Sequence, residues 1–299
     1  MQIALVLFCL LAGFLIKRYK EVPFGSHKTI NLWIIYVALP AVTLKYMPTV
    51  EWDKNLLIPI AMAPIIWIFA FLLLVLINNF YKKIDKPTFG AILLIMALGN
   101  TSFMGFPLTK AYFGEEGFKI AVICDEANFM IMSTLGIITA IYYGNSNKTL
   151  GINSLIKNIA FFPPFIALVL SLSIFRFIDI NFAQPFLTIL SATLIPLALF
   201  SIGLQLDFGN LFQDIKWLVI ALGYKLFFAP LLIFILVYFA KTKGIVAHVS
   251  VFEAAMAPMA TSAILASEYG LNIRFVNNSI TIGIILSIFT TYFWHWIII

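Results

Sequence analysis

The chain is a succession of long apolar segments separated by short polar connections. A membrane-spanning helix needs roughly 20 consecutive apolar residues, and segments of about that length occur ten times, the first of them being shorter. They lie at residues 2–16, 29–47, 55–80, 88–108, 118–143, 154–175, 184–206, 215–240, 246–267 and 276–298. The pattern predicts an all-α polytopic membrane protein with ten transmembrane helices, organised as a single unit over residues 1–299.

Helix four of this pattern is interrupted near its middle. Residues 97–107 read Ala-Leu-Gly-Asn-Thr-Ser-Phe-Met-Gly-Phe-Pro. Proline removes a backbone N–H and repels the carbonyl one turn earlier, while glycine lets the chain leave helical geometry. Because unsatisfied backbone groups are costly in hydrocarbon, a broken helix survives only where protein or a water-filled cavity covers it. We therefore expect the freed backbone groups, Asn100 and Thr101 to face a solute. Capping of the broken helix is their alternative role, and the two roles are compatible.

Prolines recur at matching places in the two halves of the chain. Helix two contains Pro40 and helix seven contains Pro196, an offset of 156 residues. Helix four contains Pro107 and helix nine contains Pro258, an offset of 151 residues. Both offsets are about half the chain length, which indicates an internal repeat.

The repeat divides the chain into two five-helix units, residues 1–143 and residues 154–299. Since five is an odd number, the second unit must insert into the membrane with the opposite orientation. Interrupted hydrophobic segments at corresponding positions of two inverted halves are the best pointer in a sequence to the binding site of a transporter. We therefore expect helices four and nine to be broken crossover helices.

Helix nine carries a run of small residues, Glu253-Ala254-Ala255-Met256-Ala257-Pro258-Met259-Ala260-Thr261-Ser262. Its position opposite the break in helix four makes Pro258, Thr261 and Ser262 candidate site residues. Small residues also favour close packing of membrane helices, and this second interpretation stays open.

Four charged residues lie well inside the predicted helices, away from the helix ends. They are Asp125 and Glu126 in helix five, Lys225 in helix eight and Glu253 in helix nine. A charge at the bilayer centre costs at least about 2.5–3.5 kcal/mol, so such residues mark a pathway or a pair. We expect them to tune the charge of the site or to carry a proton. A buried structural ion pair, with Lys225 neutralising one of the acids, is the alternative.

The composition limits the remaining possibilities. Hydrophobic residues make up 62% of the chain and charged residues 11%, against roughly 25% charged residues in a soluble domain. The net charge of +6 is concentrated in short connections and therefore indicates orientation rather than nucleic-acid binding. Eleven Lys and Arg residues flank one set of connections and seven the other, which places both termini outside. No nucleotide-binding, nucleophilic or metal-ligand motif occurs, so we expect neither an enzyme nor a cofactor.

These residues also carry a resemblance to a known family. The matching positions are Asn100, Thr101, Gly105 and Pro107 in helix four, residues 199–204 in helix seven, Lys225 and Pro230 in helix eight, and residues 253–256 and 268–270 in helix nine. In their order and spacing, over nearly all ten helices, the chain resembles the auxin efflux carrier family, which includes bacterial malate permeases.

The resemblance implies two inverted five-helix repeats whose fourth helices break at proline and cross at mid-membrane. It further implies a carboxylate solute near the crossing, with Asn100 contacting the acid group. Thr43 and the polar helix-five residues Glu126 and Asn128 would help to line the site. An elevator-like movement of the crossing bundle against a scaffold is expected, and dimers through the scaffold helices are compatible with the family.

We therefore predict a secondary transporter that moves a mono- or dicarboxylate anion across the plasma membrane, with H⁺ or Na⁺ as candidate coupling ions. The helix ends at Pro107 and Pro258 would assist the solute contacts. A cation or proton antiporter of similar fold is one alternative. A membrane sensor that binds a ligand without moving it is the other.

Overall fold

The computed structural model describes residues 2–23, 25–81, 84–145, 159–178, 181–206 and 214–299. This part of the chain is helical throughout, apart from connections and one isolated pair of extended residues. Six helical stretches are long and apolar enough to cross a membrane, at Ser26–Thr49, Lys54–Phe80, Thr101–Tyr143, Asn181–Gln205, Ile215–Ala240 and Ile273–Ile298. The chain is therefore a multi-pass membrane protein. Residues 154–158 of predicted helix six lie outside the described ranges.

The helices, numbered in chain order, have the following bounds: α1 Gln2–Tyr19, α2 Ser26–Trp33, α3 Leu39–Tyr46, α4 Leu57–Tyr81, α5 Lys86–Ala97, α6 Phe106–Ile131, α7 Ile137–Tyr143, α8 Pro163–Ser173, α9 Gln184–Ala192, α10 Leu194–Gln205, α11 Ile215–Gly223, α12 Ala229–Ala240, α13 Ile245–Ala254, α14 Ser262–Tyr269 and α15 Ile273–Ile298. Helix α6 bends sharply at Gly114, whose φ of 67° and ψ of −157° suit glycine.

Several prolines lie just after a wide π-helical turn. The turns Ile34–Ala38, Thr101–Gly105 and Tyr224–Phe228 precede Pro40, Pro107 and Pro230 respectively. A proline cannot donate to the carbonyl one turn earlier and collides with it in a regular α-helix. A π-helical turn shifts the hydrogen bonds by one residue, so that the helix continues through the proline. These prolines therefore do not end their helices.

The helices form two packing groups. Helices α1, α2, α3, α8, α9 and α10 pack against one another, and helices α4 to α7 pack with α11 to α15. The main contacts between the groups come from α6 and the π-helical turn before it, which touch α1, α3 and α10. Both interrupted segments therefore belong to the second group, here called the bundle, while the first group is called the scaffold.

Helices α1 and α10 of the scaffold meet backbone to backbone. A Cβ atom at Gly13 would overlap the carbonyl oxygen of Phe200, and one at Gly203 would overlap the carbonyl oxygen of Leu10. Small residues permit such close approach between membrane helices. This contact gives the short first apolar segment a defined place in the fold.

Candidate solute site at two interrupted helices

The first interruption lies between α5 and the π-helical turn that starts at Thr101. Helix α5 ends at Ala97, and Leu98 is extended, with φ −98° and ψ 124°. The side chain of Asn100 accepts a hydrogen bond from the backbone N–H of Phe103 at 3.3 Å and so caps the following turn. The chain thus leaves helical geometry at Leu98–Asn100, well before Pro107. Pro107 itself is buried at the start of α6 and lies within the continuing helix.

The second interruption separates α13 from α14. Helix α13 ends at Ala254 and α14 begins at Ser262, with Pro258 in the middle of the non-helical connection. Here the proline predicted to break the helix does lie in the break. The turn at Thr101 and helix α14 both start at an interruption. The N-terminal end of a helix carries partial positive charge.

The two interruptions pair with each other through their backbones. The N–H of Asn100 donates to the carbonyl of Ala257 at 2.8 Å, and the N–H of Met259 donates to the carbonyl of Leu98 at 3.0 Å. Gly99 and Pro258 face each other between these bonds as an antiparallel pair. In such a pair the backbone groups of the two central residues point away from the partner strand, so the missing N–H of Pro258 costs nothing here.

The outward-facing backbone groups of Gly99 are bound by one side chain. The Nδ2 atom of Asn128 donates to the carbonyl of Gly99 at 2.7 Å, and its Oδ1 accepts from the N–H of Gly99 at 3.3 Å. The same Nδ2 lies 3.3 Å from the Thr101 hydroxyl oxygen. Asn128, on the α6 helix, therefore replaces the helical hydrogen bonds that Gly99 has lost.

Three acids, of which Glu126 and Glu253 are buried and Asp125 is half-buried, each accept a hydrogen bond from a threonine. The Thr101 hydroxyl donates to Asp125, the Thr43 hydroxyl donates to Oε1 of Glu126 at 3.1 Å, and the Thr109 hydroxyl donates to Oε1 of Glu253 at 2.6 Å. The contact of Thr43 with Glu126 joins the scaffold to the bundle. These carboxyl groups lie on the helices that carry or flank the two interruptions.

Lys225 does not form the ion pair considered from the sequence. Within the described ranges no carboxylate oxygen lies within 4.0 Å of Nζ of Lys225, unlike Lys110, which pairs with Glu115, and Lys119, which pairs with Glu116. The Nζ atom of Lys225 instead donates to the carbonyl of Ala254 at 3.1 Å, and the side chain is 1% exposed. The cation is thus bound by the end of a helix.

Several buried polar atoms beside the interruptions have no hydrogen-bond partner among the described residues. They are Nδ2 of Asn100, the hydroxyl oxygens of Thr261 and Ser262, and one carboxyl oxygen each of Glu126 and Glu253; the hydroxyl of Ser279, on α15, is likewise unpartnered. Leaving a buried donor or acceptor unpaired costs about 1–3 kcal/mol. An amide nitrogen and three hydroxyl groups are therefore available to donate to a polar solute.

A family model described as membrane transport protein matches residues 1–295 of the chain. The chain belongs to this family. The membrane transport protein family comprises the auxin efflux carriers, so the resemblance drawn from the motifs is confirmed. The match covers both interruptions and both packing groups.

Two archaeal relatives align with this membrane transport protein along nearly its whole length. An uncharacterized transporter from Methanocaldococcus jannaschii is 27% identical over 305 residues, covering 99% of this chain and 98% of the relative. An uncharacterized transporter from Methanothermobacter thermautotrophicus is 26% identical over 294 residues, covering 97% of this chain and 95% of the relative. The family and these relatives identify the chain as a membrane transporter.

Two residues of the site were not among the predicted ones. Thr109 holds Glu253, and Ser279 on α15 has an unpartnered buried hydroxyl. Adding the repeat offset of 151–156 residues to the position of Glu126 gives the part of α15 that contains Ser279. The internal repeat in the sequence could therefore have indicated Ser279. Thr109 had no such signal, because a threonine inside an apolar helix commonly bonds to its own backbone.

Proposed function

We propose that this membrane transport protein is a secondary transporter that moves a small organic carboxylate, a mono- or dicarboxylate, across the plasma membrane. The observation that carries the proposal is the set of unpartnered buried donors at the paired interruptions, Nδ2 of Asn100 and the hydroxyls of Thr261 and Ser262. Two helix N-termini begin at the same place. Neutral donors and positive helix ends together suit an anionic group.

The proposed architecture is ten membrane helices in two inverted repeats, residues 1–143 and residues 154–299, with crossover helices at the two interruptions. The packing supports a two-fold relation between the repeats. Helix α1 packs on α10, and its counterpart α8 packs on α3; α4 packs on α13, and its counterpart α11 packs on α5. An odd number of helices in each unit gives the inverted orientation, and the Lys and Arg distribution puts both termini outside.

The proposed mechanism is an elevator-like movement of the bundle against the scaffold. The bundle carries both interruptions and meets the scaffold chiefly through one helix, α6, and its leading turn. Asn100 and Thr101 would contact the solute from the bundle, and Thr43 from the scaffold. All three are at most 2% exposed, so the solute would be enclosed when the bundle lies in this position.

A cation or proton antiporter of similar fold is the second candidate. The observation that favours it is the presence of three carboxyl groups, those of Asp125, Glu126 and Glu253, around the interruptions. In the anion transporter these groups would carry a coupling proton or tune the charge of the site. In the antiporter they would bind the transported cation directly.

The decisive experiment compares two variants of Asn100 in proteoliposomes. A thermal-shift screen with malate, malonate, lactate, succinate and indole acetate first selects the solute. Asn100→Asp keeps an oxygen to cap the N–H of Phe103 but replaces the free donor with a group that repels anions, and Asn100→Ala removes both functions. We expect both variants to lose uptake, with Asn100→Asp keeping the cap on the N–H of Phe103. Asn79→Asp, at an exposed position of α4, is the control.

The outcomes separate the candidates. Wild-type uptake by both Asn100 variants would remove this residue from the site. Solute-free proton flux driven by a sodium gradient would favour the antiporter. Saturable binding without counterflow of labelled ligand would identify a membrane sensor instead of a carrier.

A further inference from the structure

Lys225 places a buried positive charge at the end of a broken helix. Its side chain starts from the π-helical turn before α12, and its Nζ atom lies 3.1 Å from the carbonyl oxygen of Ala254. Ala254 is the last residue of α13. The carbonyls at a helix C-terminus carry partial negative charge, so the ammonium is bound where a cation is favoured.

The same ammonium also touches the first interruption. A Cβ atom added to Gly99 would come within 3.0 Å of Nζ of Lys225. The ammonium thus contacts Gly99 in one interruption and Ala254 in the other. The absence of a side chain at Gly99 is what lets the positive charge approach the paired segments.

No carboxylate in the described part of the chain lies within 4.0 Å of this ammonium. Glu253 acts on it electrostatically from a greater distance, but one oxygen of that carboxyl is bound by Thr109. The direct partner of Lys225 is therefore the backbone. An ion pair would explain the burial of a lysine equally well, but the geometry does not contain one here.

Three other backbone carbonyls at the paired segments already have protein donors. The carbonyl of Leu98 accepts from Met259, that of Ala257 from Asn100, and that of Gly99 from Asn128. In transporters with broken helices, unwound carbonyls and the C-terminal ends of half-helices coordinate the coupling cation. In this chain the protein itself supplies a donor to each of these carbonyls.

We propose that Lys225 is a tethered cation that occupies the coordination position of a soluble coupling cation at the second interruption. The site is therefore assembled without Na⁺, and Lys225 acts as a positioning residue that fixes the end of α13 relative to Gly99. This inference deepens the proposed function and rests on it for the identity of the site. It leaves H⁺ as the candidate ion whose movement is coupled to that of the carboxylate.

Chemical rescue tests the proposal on the purified protein in detergent, without any organic anion. Lys225→Ala removes the charge and leaves the volume of a propylammonium ion. The melting temperature is measured in chloride salts of equal ionic strength containing choline, Na⁺, methylammonium or ethylammonium. We expect the wild type to melt at the same temperature in all four salts. Lys225→Ala should melt lower in choline and regain stability in the small ammonium salts or in Na⁺.

Two further variants keep the proposal testable if Lys225→Ala does not fold. Lys225→Met fills the space without charge and should show reduced stability that no cation restores, whereas Lys225→Arg, which keeps the charge, should be closer to the wild type. Lys119→Ala, whose partner is the exposed Glu116, is the control and should respond to none of the salts. At equal amounts of folded protein, we expect Lys225→Met to take up solute more slowly than the wild type, because the end of α13 is no longer fixed.

Stabilisation of the wild type by Na⁺ over choline would overturn the proposal. So would a folded Lys225→Ala protein that no small cation stabilises, or a Lys225→Met protein as stable and active as the wild type. The proposed function would fail in a different way. If small cations stabilise Lys225→Ala but the wild type takes up no carboxylate, carboxylate transport is refuted and the role of Lys225 as a tethered cation stands.

Discussion

Gly105 lies directly against the carboxyl group of Glu253, so that a Cβ atom at this position would overlap Oε2 of that side chain. Gly105 closes the π-helical turn after the first interruption, and Glu253 is next to the last residue of α13, before the second. The other oxygen of Glu253 is held by Thr109, one helical turn beyond Gly105. The missing side chain at Gly105 therefore makes room for a buried acid from α13.

We predict that Gly105→Ala destabilises the protein and abolishes uptake. The added methyl group must displace a carboxyl that is fully buried and bonded to Thr109, and overpacking of this kind costs about 1–3 kcal/mol. The melting temperature of the purified protein and uptake in proteoliposomes measure the two effects. Gly223→Ala is the matched control, because a Cβ at Gly223 in α11 meets no atom within 4 Å.

Removing the acid should relieve the overlap. In the double variant Gly105→Ala with Glu253→Ala, the stability lost should be smaller than the sum of the single losses, and contacting residues typically couple by about 0.5–3 kcal/mol. Strict additivity of the two substitutions would show that Gly105 acts through something other than Glu253.

A second prediction concerns the side-chain amide that binds Gly99. Asn128→Asp keeps an oxygen that accepts from the Gly99 N–H. It replaces Nδ2, which in the wild type lies 2.7 Å from the carbonyl oxygen of Gly99, with an oxygen that repels this carbonyl. An unpaired buried carbonyl costs about 1–3 kcal/mol. We expect a lower melting temperature and loss of uptake, and faster hydrogen exchange at residues 98–101 by mass spectrometry. Unchanged exchange in this segment would contradict the role assigned to Asn128.

A third prediction concerns the scaffold. Gly13→Ala and Gly203→Ala each place a methyl group on a backbone carbonyl of the facing helix, and a backbone cannot rotate away as a side chain can. Helices α1 and α10 would have to separate, so each variant should lower the melting temperature more than Gly223→Ala does. Melting temperatures equal to that control would mean that α1 and α10 are not packed this closely.

A fourth prediction concerns a contact between scaffold and bundle. The hydroxyl of Tyr46 in α3 donates to Glu115 at 2.6 Å, and Glu115 follows the bend at Gly114 and pairs with Lys110 at 2.8 Å. Tyr46→Phe removes only the hydroxyl. If the bundle moves against the scaffold, this variant should exchange hydrogen faster at residues 110–118 and take up solute faster, while Tyr36→Phe, at an exposed position, should not. Slower uptake with normal stability would argue against a restraining role for this bond.

Much of the architecture could be predicted from the chain alone, because lipid imposes a simple local constraint. Apolar stretches of about 20 residues must be helical in a membrane, so the helices, the interruption of helix four and the buried charges were all readable in the sequence. The family was also recognisable from the motifs, and the family model that matches residues 1–295 confirms it. Of the predicted site residues, Asn100, Thr101 and Pro258 lie at the paired segments.

Only the tertiary structure decided which groups satisfy one another. The sequence suggested that Pro107 breaks its helix, but a π-helical turn accommodates it and the chain leaves helical geometry at Leu98–Asn100 instead. It left open an ion pair between Lys225 and an acid as an alternative, but the ammonium binds the end of α13. Both outcomes depend on partners more than 25 residues away in the chain, such as Asn128 for Gly99 and Ala254 for Lys225. A freed backbone group bonds to whichever donor the packing brings near it, and local patterns contain no information about that choice.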